Sequence, residues 1–566
     1  MRLKGAQILA ESLVREGVEV IFGYPGGAIL PFYHYLPEYP QIKHILVRHE
    51  QAAGHAADAY ARASGKVGVA VATSGPGATN LVTAIVNAQM DSVPMVVITG
   101  QVPRAMIGKD AFQETDVTGI TLPITKHNYL VLKAADIPRV IKEAFYIASS
   151  GRPGVVLVDI PRDVLQEEAE FHYPESIDLP GYQPTIQGHV AQIRKAAELI
   201  NRSERPLIIA GHGIILAGAY AELRELAEKA QIPVVNTLLG ISNFPANHYL
   251  YQGMMGMHGM YHINMATNEA DLIIGLGIRF DDRAMGRFGD FAPRAKIIHV
   301  DIDPAEIGKN VRCDVPIVGD VKHVLRVLNK YVQPGNHTAW LNWLDEMRRR
   351  YPSLYIPDDG RLWSTYVIKT IYDMTPQNAC FTTGVGQHQM WAAQYFCRDK
   401  PNCFITSGGL GTMGFALPAA IGAKLARPDA VVWAIEGDGG FQMTMYELAT
   451  CVENRIDVKI AVINNGYLGM VRQWQQLFYN NRYSAVALFN PDYVKLAEAY
   501  GIPGFRVSSR EEVAPTVETA LAYPGPALIE FQVEQEENCF PMVPPGAALS
   551  ETIPMPVPEV VKSWPR

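Results

Sequence analysis

The chain has 566 residues, with 49 lysines and arginines against 57 aspartates and glutamates, a formal net charge of −8 and 48% hydrophobic residues. This composition indicates a folded protein of several domains rather than a disordered chain. The mild negative charge argues against nucleic-acid or membrane partners, which select a basic face. Six cysteines without a C-x-x-C pair argue against a disulfide scaffold or a structural zinc site.

Targeting signals are not evident in the sequence. No apolar run reaches the roughly 18 residues of a membrane-spanning helix, and residues 1–5 lack the apolar core of a signal peptide. We therefore expect a cytoplasmic protein whose mature chain starts at residue 1.

Three blocks of short apolar strands alternate with helical segments, which predicts an α/β fold of doubly wound parallel sheets. The first block has predicted strands at 18–22, 42–47, 67–72, 95–99 and 155–159, with helices at 49–64 and 79–89. The second has strands at 207–210, 234–237, 272–275, 297–300 and 317–318, and the third at 380–382, 431–435, 459–463 and 527–531. Polar stretches near 166–188 and 333–362 are predicted to be linkers. The Pro-rich tail after residue 541 is predicted to be irregular, or ordered only over a ligand. The first and third blocks are similar enough to be one fold used twice.

One strand–helix–strand unit in the third block carries a candidate metal and diphosphate site. Strand 431–435 is followed by Glu436-Gly437-Asp438-Gly439-Gly440 and a helix at 442–453, and strand 459–463 ends in Asn464-Asn465-Gly466-Tyr467. A right-handed crossover brings Asp438 and Asn465 to one sheet edge. A carboxylate and an amide oxygen suit Mg²⁺, and the glycines and the helix start suit a diphosphate.

This motif resembles the thiamine diphosphate (ThDP) signature. The chain is similar over nearly its whole length to the ThDP-dependent enzymes of the pyruvate oxidase and decarboxylase group, and within it to the acetohydroxyacid synthase (acetolactate synthase) family. The resemblance implies a pyrimidine-binding domain at 1–170, a central FAD-binding domain at 190–332, a diphosphate- and Mg²⁺-binding domain at 363–545, and a C-terminal tail at 546–566.

The activating carboxylate of such enzymes switches the cofactor's aminopyrimidine to its imino tautomer. Glu50, in Arg48-His49-Glu50, matches that glutamate by resemblance. Without the resemblance, a carboxylate that stabilises a helix N-terminus is the favoured interpretation. The resemblance implies these further ThDP contacts: Pro25, Pro76, Asn80, Val385, Gly386, Gln387, His388, Gly411, Met413, Gly437, Asp438, Gly439, Gly440, Asn465, Tyr467 and Met470. Asp438, Asn465 and Tyr467 are the implied metal ligands.

Four segments resemble the synthase more than its relatives. They contain Gly27 and Gln113, expected near the reacting carbon, Arg283 in Arg279-Phe280-Asp281-Asp282-Arg283, and Trp474. Arg283 suits the carboxylate of an acceptor 2-ketoacid; without the resemblance, a surface ion pair with Asp281 or Asp282 is the favoured interpretation. Trp474 is the expected apolar wall that favours 2-ketobutyrate over pyruvate by roughly 1–3 kcal/mol.

The middle block lacks the G-x-G-x-x-G motif of an ordinary NAD site, and its segments resemble the family's FAD domain instead. The implied FAD contacts are Arg152, Gly211, His212, Gly213, Thr237, Leu238, Met257, His258, Gly277, Arg279, Asp281, Arg283, Asp301, Ile302, Gly319 and Asp320.

The resemblance implies that pyruvate is decarboxylated and its hydroxyethyl unit transferred to pyruvate or 2-ketobutyrate, the first common step of branched-chain amino-acid biosynthesis. It also implies a homodimer or homotetramer with active sites at the subunit interface, and it leaves open a small regulatory subunit. The alternatives are a catabolic, FAD-free acetolactate synthase, a glyoxylate carboligase, a pyruvate oxidase and a cofactor-binding scaffold without activity.

Overall fold

The structure is a computed structural model that describes residues 1–396 and 401–558. Within these residues, three six-stranded parallel sheets follow one another along the chain. The predicted α/β fold class of three parallel-sheet domains is therefore confirmed. Cys397 and the end of the predicted tail, residues 559–566, lie outside the described residues.

The first and third sheets have the same topology. In spatial order, the strands of the first are Lys43–Leu46, Val20–Gly23, Gly68–Ala72, Met95–Gln101, Val155–Pro161 and His127–Leu130. Those of the third are Phe404–Thr406, Cys380–Thr383, Val432–Gly437, Lys459–Asn464, Ala527–Gln532 and Gly504–Val507. Counted along the chain, both sheets have the order 2-1-3-4-6-5. One fold is thus used twice.

The central sheet has a different order. Its strands are, across the sheet, Tyr251–Met254, Val234–Asn236, Pro206–Ala210, Leu272–Leu276, Lys296–Asp301 and Val315–Val318. This is the order 3-2-1-4-5-6 of sheets that bind dinucleotides at the point where the strand order reverses.

Helices cover the faces of the three sheets. Those of the first are Gly5–Arg15, Leu30–Tyr35, Glu50–Ser64, Pro76–Asn80, Val82–Met90, Val117–Thr121, Ile137–Ser149 and Arg162–Gln166. Those of the central region are Val190–Arg202, His212–Ala217, Tyr220–Ala230, Tyr261–Glu269, Asp282–Met285, Val321–Tyr331 and Thr338–Arg350. Those of the third are Ser364–Met374, Gln387–Tyr395, Ala416–Ala426, Asp438–Thr444, Leu448–Glu453, Gly469–Phe478, Tyr493–Ala499 and Arg510–Ala522. No helix of the described residues is both long enough and apolar enough to cross a membrane.

Several predicted elements need correction. The helix predicted at 79–89 is divided at Leu81, and the one at 442–453 already begins at Asp438 and contains a tighter turn, Met445–Glu447. The predicted linker 333–362 contains the helix Thr338–Arg350, and the linker 166–188 contains the short strand Glu168–Glu170, paired with Arg2–Lys4.

The tail after residue 541 is more ordered than predicted. Met542 pairs with Ile553 in an antiparallel bridge, and Val543 and Leu549 are buried in the core of the central domain. Apolar residues between the prolines supply the burial that holds this segment in place.

The first and third domains share one hydrophobic core. Helices Glu50–Ser64 and Ala416–Ala426 pack so closely that a Cβ at Gly422 would lie 1.9 Å from the carbonyl oxygen of Ala56. Only glycine permits this approach. Gly422 therefore lets the helix that carries Glu50 pack directly on the third domain.

Candidate active site

Several candidate ThDP residues, among them Pro25, Pro76 and Asp438, follow the strands at which the order of each outer sheet reverses. Glu50 and Asn465 each follow a strand next to these. In the first sheet the reversal lies between Val20–Gly23 and Gly68–Ala72, and in the third between Cys380–Thr383 and Val432–Gly437. In open parallel sheets, ligands bind at the carboxyl ends of such strands. The topology therefore gives the chain two half-sites, one on each outer sheet.

The half-site on the third sheet is a small cavity around Asp438 and Asn465. The Asp438 Oδ2 atom accepts hydrogen bonds from the Gly466 amide (3.0 Å) and the Asn490 side chain (2.7 Å). Burial raises the pKa of Asp438 to about 6. Predicted contacts that line this cavity are Val385, Gln387, His388, Met413, Gly437, Asp438, Gly439, Gly440, Asn465, Tyr467 and Met470.

This cavity fits a diphosphate and a hard cation. A Cβ at Gly437 would lie 2.9 Å from the His388 ring, and one at Gly439 would lie 2.9 Å from Leu468, so glycine keeps the floor open. No group of three or more His, Cys, Asp or Glu side chains in the described residues is arranged to hold a metal ion. A cation at Asp438 would therefore need amide, backbone and ligand oxygens, a set that suits Mg²⁺ bound together with a diphosphate.

The half-site on the first sheet surrounds Glu50. This buried carboxylate begins the helix Glu50–Ser64, and its Oε2 accepts a hydrogen bond from Asn80 Nδ2 at 2.9 Å. A Cβ at Gly77 would lie 3.3 Å from Glu50 Oε1. The short helix Pro76–Asn80 thus approaches the Glu50 carboxylate closely, as a segment that shares a ligand with it would.

The predicted residues Gly27 and Gln113 also belong to the first domain. Gln113 has a positive φ of 58° and packs against Gly75, where a Cβ would lie 3.0 Å from the Gln113 Cβ. A Cβ at Gly27 would meet no atom within 4 Å. Pro25, Glu50, Pro76, Asn80, Gly27 and Gln113 are not among the residues that line the two cavities described in this section.

Glu447, which the sequence analysis missed, holds the turn before Glu50. Its buried Oε1 accepts hydrogen bonds from the amides of Arg48 (2.9 Å) and His49 (3.2 Å), and its Oε2 accepts one from Thr450. Burial raises the pKa of Glu447 to about 7, against the lowering effect of these hydrogen bonds. An acidic residue inside the apolar stretch 441–451 was the only signal in the sequence.

A second, much larger cavity of about 820 Å³ lies where the central domain meets the other two. It includes the reversal point of the central sheet, where Gly211 follows Pro206–Ala210 and Gly277 follows Leu272–Leu276. All the predicted FAD contacts line it except Gly211 and Gly319, which are adjacent in sequence to the lining residues His212 and Asp320. The predicted FAD contacts of these two glycines stay predictions.

Charged side chains of the cavity are paired across domains. Arg152 Nη1 lies 3.0 Å from Asp303 Oδ2 and 2.7 Å from Glu306 Oε1. Burial raises the pKa of Asp301 to about 6 and lowers that of His258 to about 4. The volume of the cavity and its Gly-lined strand ends suit a large dinucleotide.

Arg283 and Trp474 meet at the wall of this cavity. The Arg283 guanidinium carbon lies 6.0 Å from the centre of the Trp474 ring, a cation–π distance. The Arg283 side chain is 59% exposed and lies 3.7 Å from Asp282. Val385, Gly386, Gly411 and Met470 line the same cavity, so it reaches the diphosphate half-site.

Comparison with known proteins agrees with this geometry. Three family models match: the N-terminal TPP binding domain of thiamine pyrophosphate enzymes at residues 3–120, the central domain at 193–328, and the C-terminal TPP binding domain at 384–531. The chain belongs to the thiamine pyrophosphate enzymes, and within them to the acetolactate synthase family.

Individual relatives cover nearly the whole chain. The acetolactate synthase of Mycobacterium leprae is 54% identical over 97% of this chain and 90% of its own length. The acetolactate synthase large subunit of Corynebacterium glutamicum is 49% identical over 97% and 90%, respectively. The probable large subunit of Methanocaldococcus jannaschii is 49% identical over 97% and 95%. These matches confirm the predicted family and the predicted type of enzyme.

Proposed function

We propose that this enzyme is a biosynthetic acetohydroxyacid synthase that uses ThDP, Mg²⁺ and FAD. It converts two molecules of pyruvate to 2-acetolactate, and pyruvate plus 2-ketobutyrate to 2-aceto-2-hydroxybutyrate. The single observation that carries the proposal is the large cavity at the reversal point of the central sheet, whose wall includes Arg283 and Trp474. A flavin-free enzyme would leave this cavity unexplained.

Each half-site has a part in this reaction. Asp438, with the side chain of Asn465 and the backbone at Tyr467, would hold Mg²⁺ and the diphosphate, and Glu50 would hold the proton of the cofactor's pyrimidine ring. ThDP, when bound, supplies a carbon nucleophile after pyruvate loses CO₂. Arg283 binds the carboxylate of the acceptor, while Trp474 contacts its alkyl group.

The active site is proposed to form between two copies of the chain. Glu50, Gly27 and Gln113 belong to the first-sheet half-site, and Asp438, Met413 and Asn465 to the third-sheet half-site. A C₂ dimer would bring the first half-site of one copy to the third of its partner and so produce two equal sites. Relatives named large subunits support a small regulatory subunit as a further partner.

Product analysis tests the proposal. The purified chain is incubated with pyruvate and 2-ketobutyrate in the presence of ThDP and Mg²⁺, with and without FAD, and both acetohydroxy acids are measured. We expect both products, and we expect loss of activity when FAD is left out of the flavin-stripped protein. Full activity of the stripped protein would instead identify the catabolic, FAD-free enzyme. Acetyl phosphate or acetate as the main product would identify an oxidase.

A further inference from the structure

The glycine run, residues 407–414, is held by a carboxylate from another domain. Asp91, at the end of helix Val82–Met90 in the first domain, is buried. Its Oδ1 accepts a hydrogen bond from the Gly409 amide at 2.7 Å, and its Oδ2 accepts one from the Gly408 amide at 3.0 Å. Two successive backbone amides of the run are thus bound to one side chain of the first domain.

A buried arginine balances the charge of Asp91. Arg62 Nη2 lies 2.9 Å from Asp91 Oδ2, and Arg62 Nε lies 2.6 Å from Asp58 Oδ1. The two carboxylates raise the pKa of Arg62 above its ordinary value despite burial. Arg62 also donates to the carbonyl oxygen of Thr406, the residue before the run. Breaking such a buried pair leaves an uncompensated charge, so the network resists rearrangement.

A second anchor holds the far side of the run. Asn87 Oδ1 accepts hydrogen bonds from the hydroxyls of Ser407 and Thr412, and Ser407 Oγ accepts one from the Thr412 amide at 2.8 Å. The run is therefore bound at both ends by side chains that the first domain supplies. These contacts set its shape more firmly than its glycines could, because glycine restricts the backbone least.

The run separates the two proposed cofactor sites. Residues 407–411 line the large cavity, and Met413 lines the diphosphate half-site. Gly411, with a positive φ of 74°, is one of the ThDP contacts that the family resemblance implies. Asp91 also faces the central domain, since its carbonyl oxygen accepts a hydrogen bond from His212 Nδ1 at 2.9 Å and both residues line the large cavity.

We infer that Asp91 is a positioning residue that holds the glycine run in the shape ThDP requires, and that it couples occupation of the large cavity to ThDP binding. The inference rests on the proposed function. A ligand in the large cavity packs against Asp91, His212 and the run, and so restricts the motion of the same backbone that binds ThDP. Each cofactor then strengthens the binding of the other by the same factor.

The first test measures the run without any cofactor. Amide hydrogen exchange of the full-length apo protein is followed by mass spectrometry in peptides that cover residues 406–414. Asp91→Asn keeps the size of the side chain but supplies one acceptor oxygen where two are used. We expect exchange at Gly408 or Gly409 to become roughly tenfold faster or more, because a charge-assisted hydrogen bond is lost. Glu222→Gln, which alters the ion pair between the buried Glu222 carboxylate and the exposed Arg326 in the central domain, is the control.

The second test measures coupling. ThDP binding in the presence of Mg²⁺ is titrated with and without FAD in the wild type, Asp91→Asn and Glu222→Gln. We expect FAD to tighten ThDP binding in the wild type and in the control. In Asp91→Asn we expect ThDP to bind at least tenfold more weakly and the effect of FAD to be lost, with the KM for pyruvate unchanged.

Two results would overturn the inference: unchanged exchange in the run of Asp91→Asn, or faster exchange with wild-type ThDP binding and coupling. If Asp91→Asn does not fold, Ser407→Ala decides the matter by the same two measurements, with the same direction and a smaller size expected. Product analysis of the wild type is independent of all these results. A different product would therefore reject the proposed function. Faster amide exchange in the glycine run of Asp91→Asn would still show that Asp91 holds the run.

Discussion

At the scale of single residues, the proposed function gives Trp474 and Arg283 different roles. Under that proposal the Trp474 indole contacts the extra methyl group of 2-ketobutyrate, whereas the Arg283 guanidinium binds the carboxylate that both acceptors share. We expect Trp474→Leu to reduce the preference for 2-ketobutyrate roughly 5- to 30-fold, since about 1–2 kcal/mol of apolar contact is lost. A competition assay at fixed pyruvate that measures both acetohydroxy acids provides the ratio.

Arg283→Lys is the companion variant in that assay. Lysine lacks the planar fork that binds a carboxylate through two hydrogen bonds, so both products should fall together and their ratio should stay. An unchanged ratio in Trp474→Leu would show that Trp474 only fills space in the wall.

Asp159 gives a prediction on the pH dependence of stability. The buried carboxylate is hydrogen-bonded by Thr99 (2.7 Å) and Gln101 (3.0 Å), and burial raises its pKa from 3.8 to about 7. Between about pH 4 and pH 7 the folded chain therefore holds a proton that the unfolded chain has released. Stability falls as pH rises through this window, by up to roughly 1.4 kcal/mol per pH unit for this group.

Asp159→Asn should remove that contribution. The free energy of unfolding, measured in urea at pH 5 and pH 7, should fall less with rising pH in the variant than in the wild type. Asp290→Asn, at a half-exposed carboxylate, should keep the wild-type pH dependence. Parallel curves for Asp159→Asn and the wild type would mean that Asp159 is ionised across the window.

At the scale of elements, the segment Glu447–Glu453 clamps the turn between strand Lys43–Leu46 and helix Glu50–Ser64. Glu447 binds two amides of the turn, and Glu453 forms an ion pair with Arg48 at 2.9 Å. Glu447→Ala leaves two amides without their acceptor, which costs about 1–3 kcal/mol. We expect a lower thermal midpoint and a reduced kcat, since the turn positions Glu50.

Glu453→Gln is the control for the clamp. Its side chain is 49% exposed, and pairs of this kind contribute at most about 1 kcal/mol. Midpoint and kcat should stay near those of the wild type. Equal effects of the two substitutions would show that the charge pair rather than the buried acceptor holds the turn.

The elements also show what the sequence could predict. Strands such as Lys459–Asn464, apolar on both faces, were predicted to within a residue because a buried parallel strand has a continuous apolar pattern. Within the three six-stranded sheets of the described residues, four strands were missed, and each lies at a sheet edge: His127–Leu130, Tyr251–Met254, Phe404–Thr406 and Gly504–Val507. An edge strand has one neighbour and needs less apolar sequence.

Helix Thr338–Arg350 was missed for a related reason. Its sequence is mostly polar, and it docks on the central domain through few buried residues, chiefly Trp340 and Leu344. The Trp340 indole donates to the carbonyl oxygen of Pro206 at 3.0 Å. Two buried residues on an otherwise polar helix are too few to produce a periodic apolar pattern, so the sequence of this helix looks like that of a linker.

The residues of the candidate site also differ in how far the sequence could predict them. Asp438 and Asn465 could be placed in one half-site because they directly follow strands whose carboxyl ends meet, whereas His388, which lines the same cavity, was assigned by the family resemblance. Asp91 and Glu447 do not follow strands, and each accepts hydrogen bonds from backbone amides that are distant in the sequence. Sequence position alone carries no record of such contacts.

At the scale of the whole molecule, the two half-sites on one chain lead to a prediction about assembly. In a dimer with shared sites, each active site takes Glu50 from one chain and Asp438 from the other. A chain with Glu50→Gln therefore inactivates the site to which it supplies Glu50, and a chain with Asp438→Ala inactivates the site to which it supplies Asp438. Each homodimer carries two damaged sites. A mixed dimer has one site that contains both substitutions and one site that contains neither. It therefore recovers up to half of the wild-type activity.

Subunit exchange provides the measurement. Each variant alone should lose most of its activity, by roughly 10²–10⁴-fold for Glu50→Gln, because proton transfer is impaired while the fold is kept. When the two variants are mixed in equal amounts and allowed to exchange subunits, half of the dimers should be hybrids. One in four of all sites is then intact, so the mixture should reach about a quarter of wild-type activity. Differently tagged chains, purified together, confirm that hybrids have formed. Hybrids without recovered activity would place Glu50 and Asp438 in the same site of a single chain, since a hybrid would then have no intact site.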